Sequence, residues 1–89
     1  MKTSVQNMQS RNGNTVANQF EIFTPDGKYF QSYSTVIALK SIDGKTYLDP
    51  KHDYSRTTAK YRNLFLRMTS KEIEQAIKAG TIEIKNLNE

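Results

Sequence analysis

The side chains best suited to chemistry lie between Tyr54 and Arg67, where Arg56, Lys60, Asn63 and Arg67 recur at helical spacing. At about 100° per residue these four fall within roughly 60° of one another. Three cations and an amide in one stripe can follow a row of phosphates, because each neutralised charge releases a counterion. Tyr54 sits just ahead of the stripe and adds a neighbouring polar contact. The hydroxyls of Ser55, Thr57 and Thr58 crowd the helix end that attracts anions. The chemistry implied is adhesion to a polyanion, not catalysis.

The same residues have a structural use. Any amphipathic surface helix carries a charged outer face, and a cation near its C-terminus favours the macrodipole. Tyr29, Tyr33, Tyr47 and Tyr54 divide in the same way. They can be stacking platforms for bases, or core and rim residues whose hydroxyls reach water.

Enzyme chemistries find little to work with. His52 adjoins Asp53 and stands near Ser55, but a triad requires convergence in space and an oxyanion hole. Asp43, Asp49 and Asp53 are spread over turns without the spacing of a metal loop. The four glycines stand singly, so no phosphate loop is present. With no cysteine in the sequence, thiolate nucleophiles, cysteine-ligated zinc and disulfides are excluded. The expectation is a non-enzyme with no catalytic residues, no metal and no cofactor.

Eighty-nine residues allow one domain with a modest core. Apolar residues are 36% and charged residues 25% of the chain, polar for a globular domain but not disordered. A net charge of +4 mildly favours polyanionic partners. No stretch has the ~20 apolar residues of a membrane span, and the first residues lack the apolar run of a signal peptide. A cytoplasmic protein without a membrane partner is expected.

The elements that must position the stripe follow from pattern. Residues 1–14, rich in Ser, Asn and Gln around Asn12-Gly13, read as a flexible N-terminal arm or a loosely attached edge, and residues 15–89 as the domain. Val16 to Phe23 alternates as a strand, with Phe20 and Ile22 on one face and Gln19 and Glu21 on the other. Thr24-Pro25-Asp26-Gly27 is a turn, and Lys28 to Ser34 is the returning strand. Thr35 to Ile42 is a third, apolar strand. Asp43-Gly44 turns the chain into a fourth, Lys45 to Leu48.

Ser55 or Thr57 can cap a helix whose apolar stripe is Tyr61, Leu64, Phe65 and Met68. Thr69 to Glu72 is a capping box opening a second helix over about Ser70 to Ala79, which Gly80 ends. Thr81 to Leu87 alternates as a last, edge strand. The order β-β-β-β-α-α-β implies an α+β domain, an antiparallel sheet of four to five strands packed on one face by two helices.

Two stretches carry a family resemblance. Phe30 to Ala38 has the pattern F-x-S-Y-x-x-x-I-A, and Asp53 to Leu66 has D-Y-S-x-T-T-x-K-Y-x-x-x-F-L. Together they resemble a family of small uncharacterised proteins encoded by bacteriophages and related mobile elements. The resemblance implies an accessory protein that binds nucleic acid, or one that disables a host defence or regulatory complex by binding it. In the first case Arg56, Lys60 and Arg67 track phosphates beside Tyr54 and Asn63. In the second, an inhibitor or adaptor uses an exposed aromatic patch on a host protein. The edge strand Thr81 to Leu87 could also pair across a dimer.

Overall fold

Turn chemistry lays out most of the sheet. The computed structural model describes residues 3–10 and 12–88. It contains β1 (Ser4–Gln9), β2 (Thr15–Thr24), β3 (Gly27–Ser32), β4 (Thr35–Ser41), β5 (Thr46–Leu48), α1 (Arg56–Leu66), α2 (Ser70–Ala79) and β6 (Ile82–Ile84). Pro25 and Asp26 form the loop between β2 and β3, with Thr24 opposite Gly27. Thr24 Oγ1 accepts the Asp26 N–H at 3.1 Å and donates to the Gly27 carbonyl at 3.1 Å. Tyr33-Ser34 joins β3 to β4, and the Asp43-Gly44 turn joins β4 to β5. The six strands lie in chain order across one sheet.

The class is α+β, with two helices and a mostly antiparallel sheet. Two features differ from the sequence expectation. Ser4–Gln9, in the segment expected to be a flexible arm or a loosely attached edge, is an edge strand paired antiparallel with β2, which makes six strands where four to five were expected. Its turn-rich surroundings hid a short ladder, anchored by the buried Met8. Met1, Lys2, Arg11 and Glu89 lie outside the described residues. The second difference is that β6 pairs parallel to β5. The intervening helices form a crossover, which returns the chain in its original direction.

Both helices begin and end as their caps dictate. Ser55 Oγ accepts the Thr58 N–H at 3.1 Å. Thr69 and Glu72 form a reciprocal capping box, and Gly80 closes α2 with φ +82°. The buried side of α1 is Thr58, Tyr61, Arg62, Phe65 and Leu66, while Leu64 and Met68 are only half-buried. At about 100° per residue the docked face is rotated roughly 80° from the expected apolar stripe. The reason lies in the sheet beneath. Ser32 and Thr58 share a buried hydroxyl hydrogen bond of 3.0 Å, and Phe65 stacks on Phe30 at 5.8 Å between centroids.

One core cluster joins Phe30, Ile37, Ala38 and Leu48 of the sheet to Tyr61, Phe65, Leu66 and Ile73 of the helices. A bulge in β4 between the partners of Phe30 and Gln31 lets the consecutive Ile37 and Ala38 both be fully buried. The C-terminal tail is pinned at its own edge. Buried Asp49 accepts from Leu87 N–H, Asn88 Nδ2 and Lys51 N–H. The Asn88 amide closes a two-way contact with the Val36 backbone.

Of the four glycines, only Gly27 has no room for a side chain. Its φ is +142°, and a Cβ there would collide with the Lys40 carbonyl oxygen of β4. Gly27→Ala is expected to destabilise the fold by about 2–4 kcal/mol, through overpacking and backbone strain together. Urea unfolding of the purified variant measures it.

Candidate nucleic-acid interface

The rotation of α1 decides where the predicted site residues stand. Arg56 and Lys60 are exposed, and their stripe falls diametrically opposite the docked face, not a third of a turn from it. Tyr54 is 52% exposed in the loop before the helix. Asn63 is half-buried and otherwise engaged: its Oδ1 accepts from Arg62 Nη2 at 2.8 Å, and its Nδ2 donates to Ser70 Oγ at 3.0 Å. Asn63 therefore belongs to a structural network as well as to the stripe. Arg67 leaves the helical register altogether. It is the C-cap of α1, with φ +57°, and its charge acts on Lys40 of the sheet instead of continuing the row.

This brings in two cations that the sequence reading missed. Lys28 of β3 and Lys40 of β4 are directly opposite one another, on the sheet face that carries the helices. Their ammonium groups sit 5.3 and 5.2 Å from the centroid of the Phe65 ring. Like charges directly opposed in a sheet repel, and one carboxylate answers them: Glu21 pairs with Lys28 at 3.2 Å. Burial, then the charges of Lys28 and Arg67, hold the Lys40 ammonium below its ordinary pKa. Leu64 and Arg67 are shared by two open clefts, one against Lys60 and Ser70, the other against Gln6, Glu21 and Lys28. The cationic surface therefore runs from α1 over its C-terminal end to β3 and β4. Only the strand register reveals it, because Lys28 and Lys40 are twelve residues apart in sequence.

The second half of α1 carries an arginine with an unusual set of partners. Arg62 is 4% exposed. It donates from Nη1 to His52 Nδ1 at 2.8 Å, from Nε to Asn63 Oδ1 at 3.0 Å, and from Nη2 to Ser70 Oγ at 3.3 Å. A guanidinium has only donors, so His52 Nδ1 must keep its lone pair and the ring proton belongs on Nε2. His52 is thus a partner of Arg62. Ser55, for its part, donates to Thr58 Oγ1 at 3.0 Å, so neither residue is free for the nucleophile–base pairing that their proximity in sequence suggested.

Burial holds His52 below its ordinary pKa; Asp53 opposes the shift and the Arg62 charge adds to it. A folded pKa below the unfolded value of 6.5 favours the neutral ring in the native state. Its contribution to stability is complete above about pH 6.5 and declines as the pH falls through the folded pKa. Urea midpoints measured between about pH 8 and pH 5 are expected to fall on the acid side. His52→Gln, which keeps an acceptor for Arg62, is expected to flatten the curve in that window.

No curated protein and no solved structure matches the chain. One family model does, across residues 3–80, a span that takes in β1, the Lys28–Lys40 pair and the whole of both helices. The chain belongs to the family of unknown function DUF8033.

Proposed function

We propose that this protein is a non-catalytic nucleic-acid-binding accessory protein of the kind that bacteriophages and mobile elements encode. Lys28, Lys40, Lys60 and Arg67 engage phosphates, and the contact continues along α1 to Arg56, beside Tyr54. The observation that carries this reading is the opposed Lys28–Lys40 pair, joined by Arg67 and answered, among the described residues, by Glu21 alone. Placing like charges across a ladder costs stability, of the order of a few tenths of a kcal/mol to ~1 kcal/mol. A bound phosphate row reverses the sign of that cost. It also offsets the repulsion from Lys28 and Arg67 that adds to burial in holding the Lys40 ammonium below its ordinary pKa.

The geometry suits a backbone contact more than base readout. The cations are spread over a helix face and two strands, and Lys28, Lys40 and Lys60 each lie over an aromatic ring, Lys60 5.4 Å from that of Tyr61. Lysines on aromatic platforms keep their charge outward while their stems cover apolar surface. Phosphate contacts of this type position a protein without specifying a sequence. The DYSxTTxKY resemblance to proteins of mobile elements fits such a role.

The test compares the wild type with Lys28→Ala/Lys40→Ala and with Arg56→Ala/Lys60→Ala/Arg67→Ala, on single- and double-stranded oligonucleotides over a range of salt. Wild-type affinity is expected to fall steeply with salt. The slope of log affinity against log salt should flatten by ~0.9 per lost duplex contact, so by about two for the lysine pair. Indifference of the wild type to both oligonucleotides at low salt would sink the proposal.

A further inference from the structure

The sheet face turned away from the helices carries residues unsuited to water. A one-sided antiparallel sheet ordinarily puts its apolar residues under the helices and its polar ones outward. Here Gln19, Glu21, Lys28, Ser32 and Lys40 share the helix side with Phe30. The opposite side carries one unbroken cross-strand row: Val5, Ile22, Tyr29, Leu39 and Tyr47, each the partner of the next, ending at Glu83 of β6. Phe20 and Val36 stand in the neighbouring row on either side of Gln31. No described helix covers this face: α1 meets β3 and β4, and α2 meets β6, on the other side. Val5, at its rim, is 60% exposed.

We propose that this face is the interface of a homodimer, occupied by the same face of a second copy of this chain. Charge selects the occupant. From β1 to β5 the paired residues of this face include no charged side chain. Charge begins with Glu83 of β6 and Lys85 just past its end, one of each sign, the lysine 5.2 Å from the Tyr47 ring centroid. A polyanion would find its cations on the far side of the molecule, at Lys28, Lys40, Lys60 and Arg67. A neutral apolar sheet matches another neutral apolar sheet, and a two-fold axis makes any such surface its own complement. Size agrees. The molecule measures 33 × 30 × 21 Å, so its broad face is of the order of the ~800 Å² per partner of a standard stable interface. Two twisted sheets can pack in this way with their strands about 30° apart, side chains interdigitating across ~10 Å.

The assignment is independent of the nucleic-acid reading, since the two use opposite sides of the molecule. The test is sedimentation equilibrium from micromolar to millimolar concentration, with circular dichroism to confirm folding. The wild type is expected at twice the mass of the chain. Tyr29→Glu puts two carboxylates beside the two-fold axis and should raise the dissociation constant at least ~100-fold. Val5→Glu lies at the exposed rim, where it does not threaten the core, and should raise it about tenfold; it decides the matter if Tyr29→Glu fails to fold. A wild type that stays monomeric throughout overturns the proposal, as does a dimer indifferent to both folded variants. Oligonucleotide-induced shifts confined to Tyr29 and Tyr47 of a monomer would also overturn it, giving the face to nucleic acid.

Discussion

Phe65 seated on Phe30 is the contact on which the rest of the molecule turns. Both rings are nearly sealed from water, at 3% and 0% exposure, and their stacking fixes α1 in rotation as well as in position. Thr58, two turns earlier, can then reach Ser32, while Tyr61 and Leu66 fall into the core beside Ile73. With that side committed, Arg56 and Lys60 have only the opposite side to occupy. Lys28 and Lys40 lay their stems toward the same ring from the sheet, and Arg67 turns over the end of the helix to join them. A large-to-small change at Phe65 would therefore do more than open a cavity worth about 3–5 kcal/mol. It would remove the aromatic platform on which the cationic surface is assembled.

The side of the sheet under the helices is more polar than a core usually is. Ser32 and Thr58 satisfy each other there, but Gln19 Oε1 is buried without a hydrogen-bond partner among the described residues, a cost of about 1–3 kcal/mol. Arg62 is likewise buried among neutral acceptors. A buried guanidinium with three neutral partners holds α1, the His52 loop and the start of α2 together. It adds little net stability, because desolvating the charge offsets most of what the hydrogen bonds contribute. Its effect is to fix the angle between the two helices and the loop before them, and hence to fix where the stripe on α1 points.

Much of the fold was legible in the sequence where local chemistry decides it. The Pro25-Asp26 turn, the Thr69–Glu72 box and the Gly80 stop each act within four residues and stand as expected, and Ser55 is the cap where Ser55 or Thr57 could have served. Asp43-Gly44 also turns the chain, but only Gly44 takes a positive φ, so the turn is not the two-residue type I′ form that the dipeptide favours. The strand at Ser4–Gln9 was not legible, because its polar sequence has no period of its own and it is ordered by the ladder that β2 offers. The rotation of α1 was hidden for a related reason. Leu64 and Met68 are more apolar than Thr58 and Arg62, yet a hydroxyl and a guanidinium with partners waiting in the fold can be buried ahead of a leucine without them. At the candidate site, Arg56 and Lys60 could be read from helical spacing alone. Lys28 and Lys40 could not, since only the register of β3 on β4 makes them neighbours.

The two faces of the sheet are most informative when set against each other. Stability alone would place Ile22, Tyr29 and Leu39 under the helices and leave Glu21, Lys28 and Lys40 on the open face. The chain does the reverse across three strands, and alternation makes this a collective choice: a slip of one residue in register would exchange the faces. Holding the cations beside the helix side concentrates positive potential at one edge of the domain, where low-dielectric walls strengthen it. Holding the apolar row outward leaves a neutral surface at the greatest distance from that potential. A second copy docked on the apolar row would then carry its own cations to the outer surface of the pair. The assembled molecule would present two basic surfaces facing away from each other, a geometry that joins two polyanion segments and not one that clamps a single segment between them.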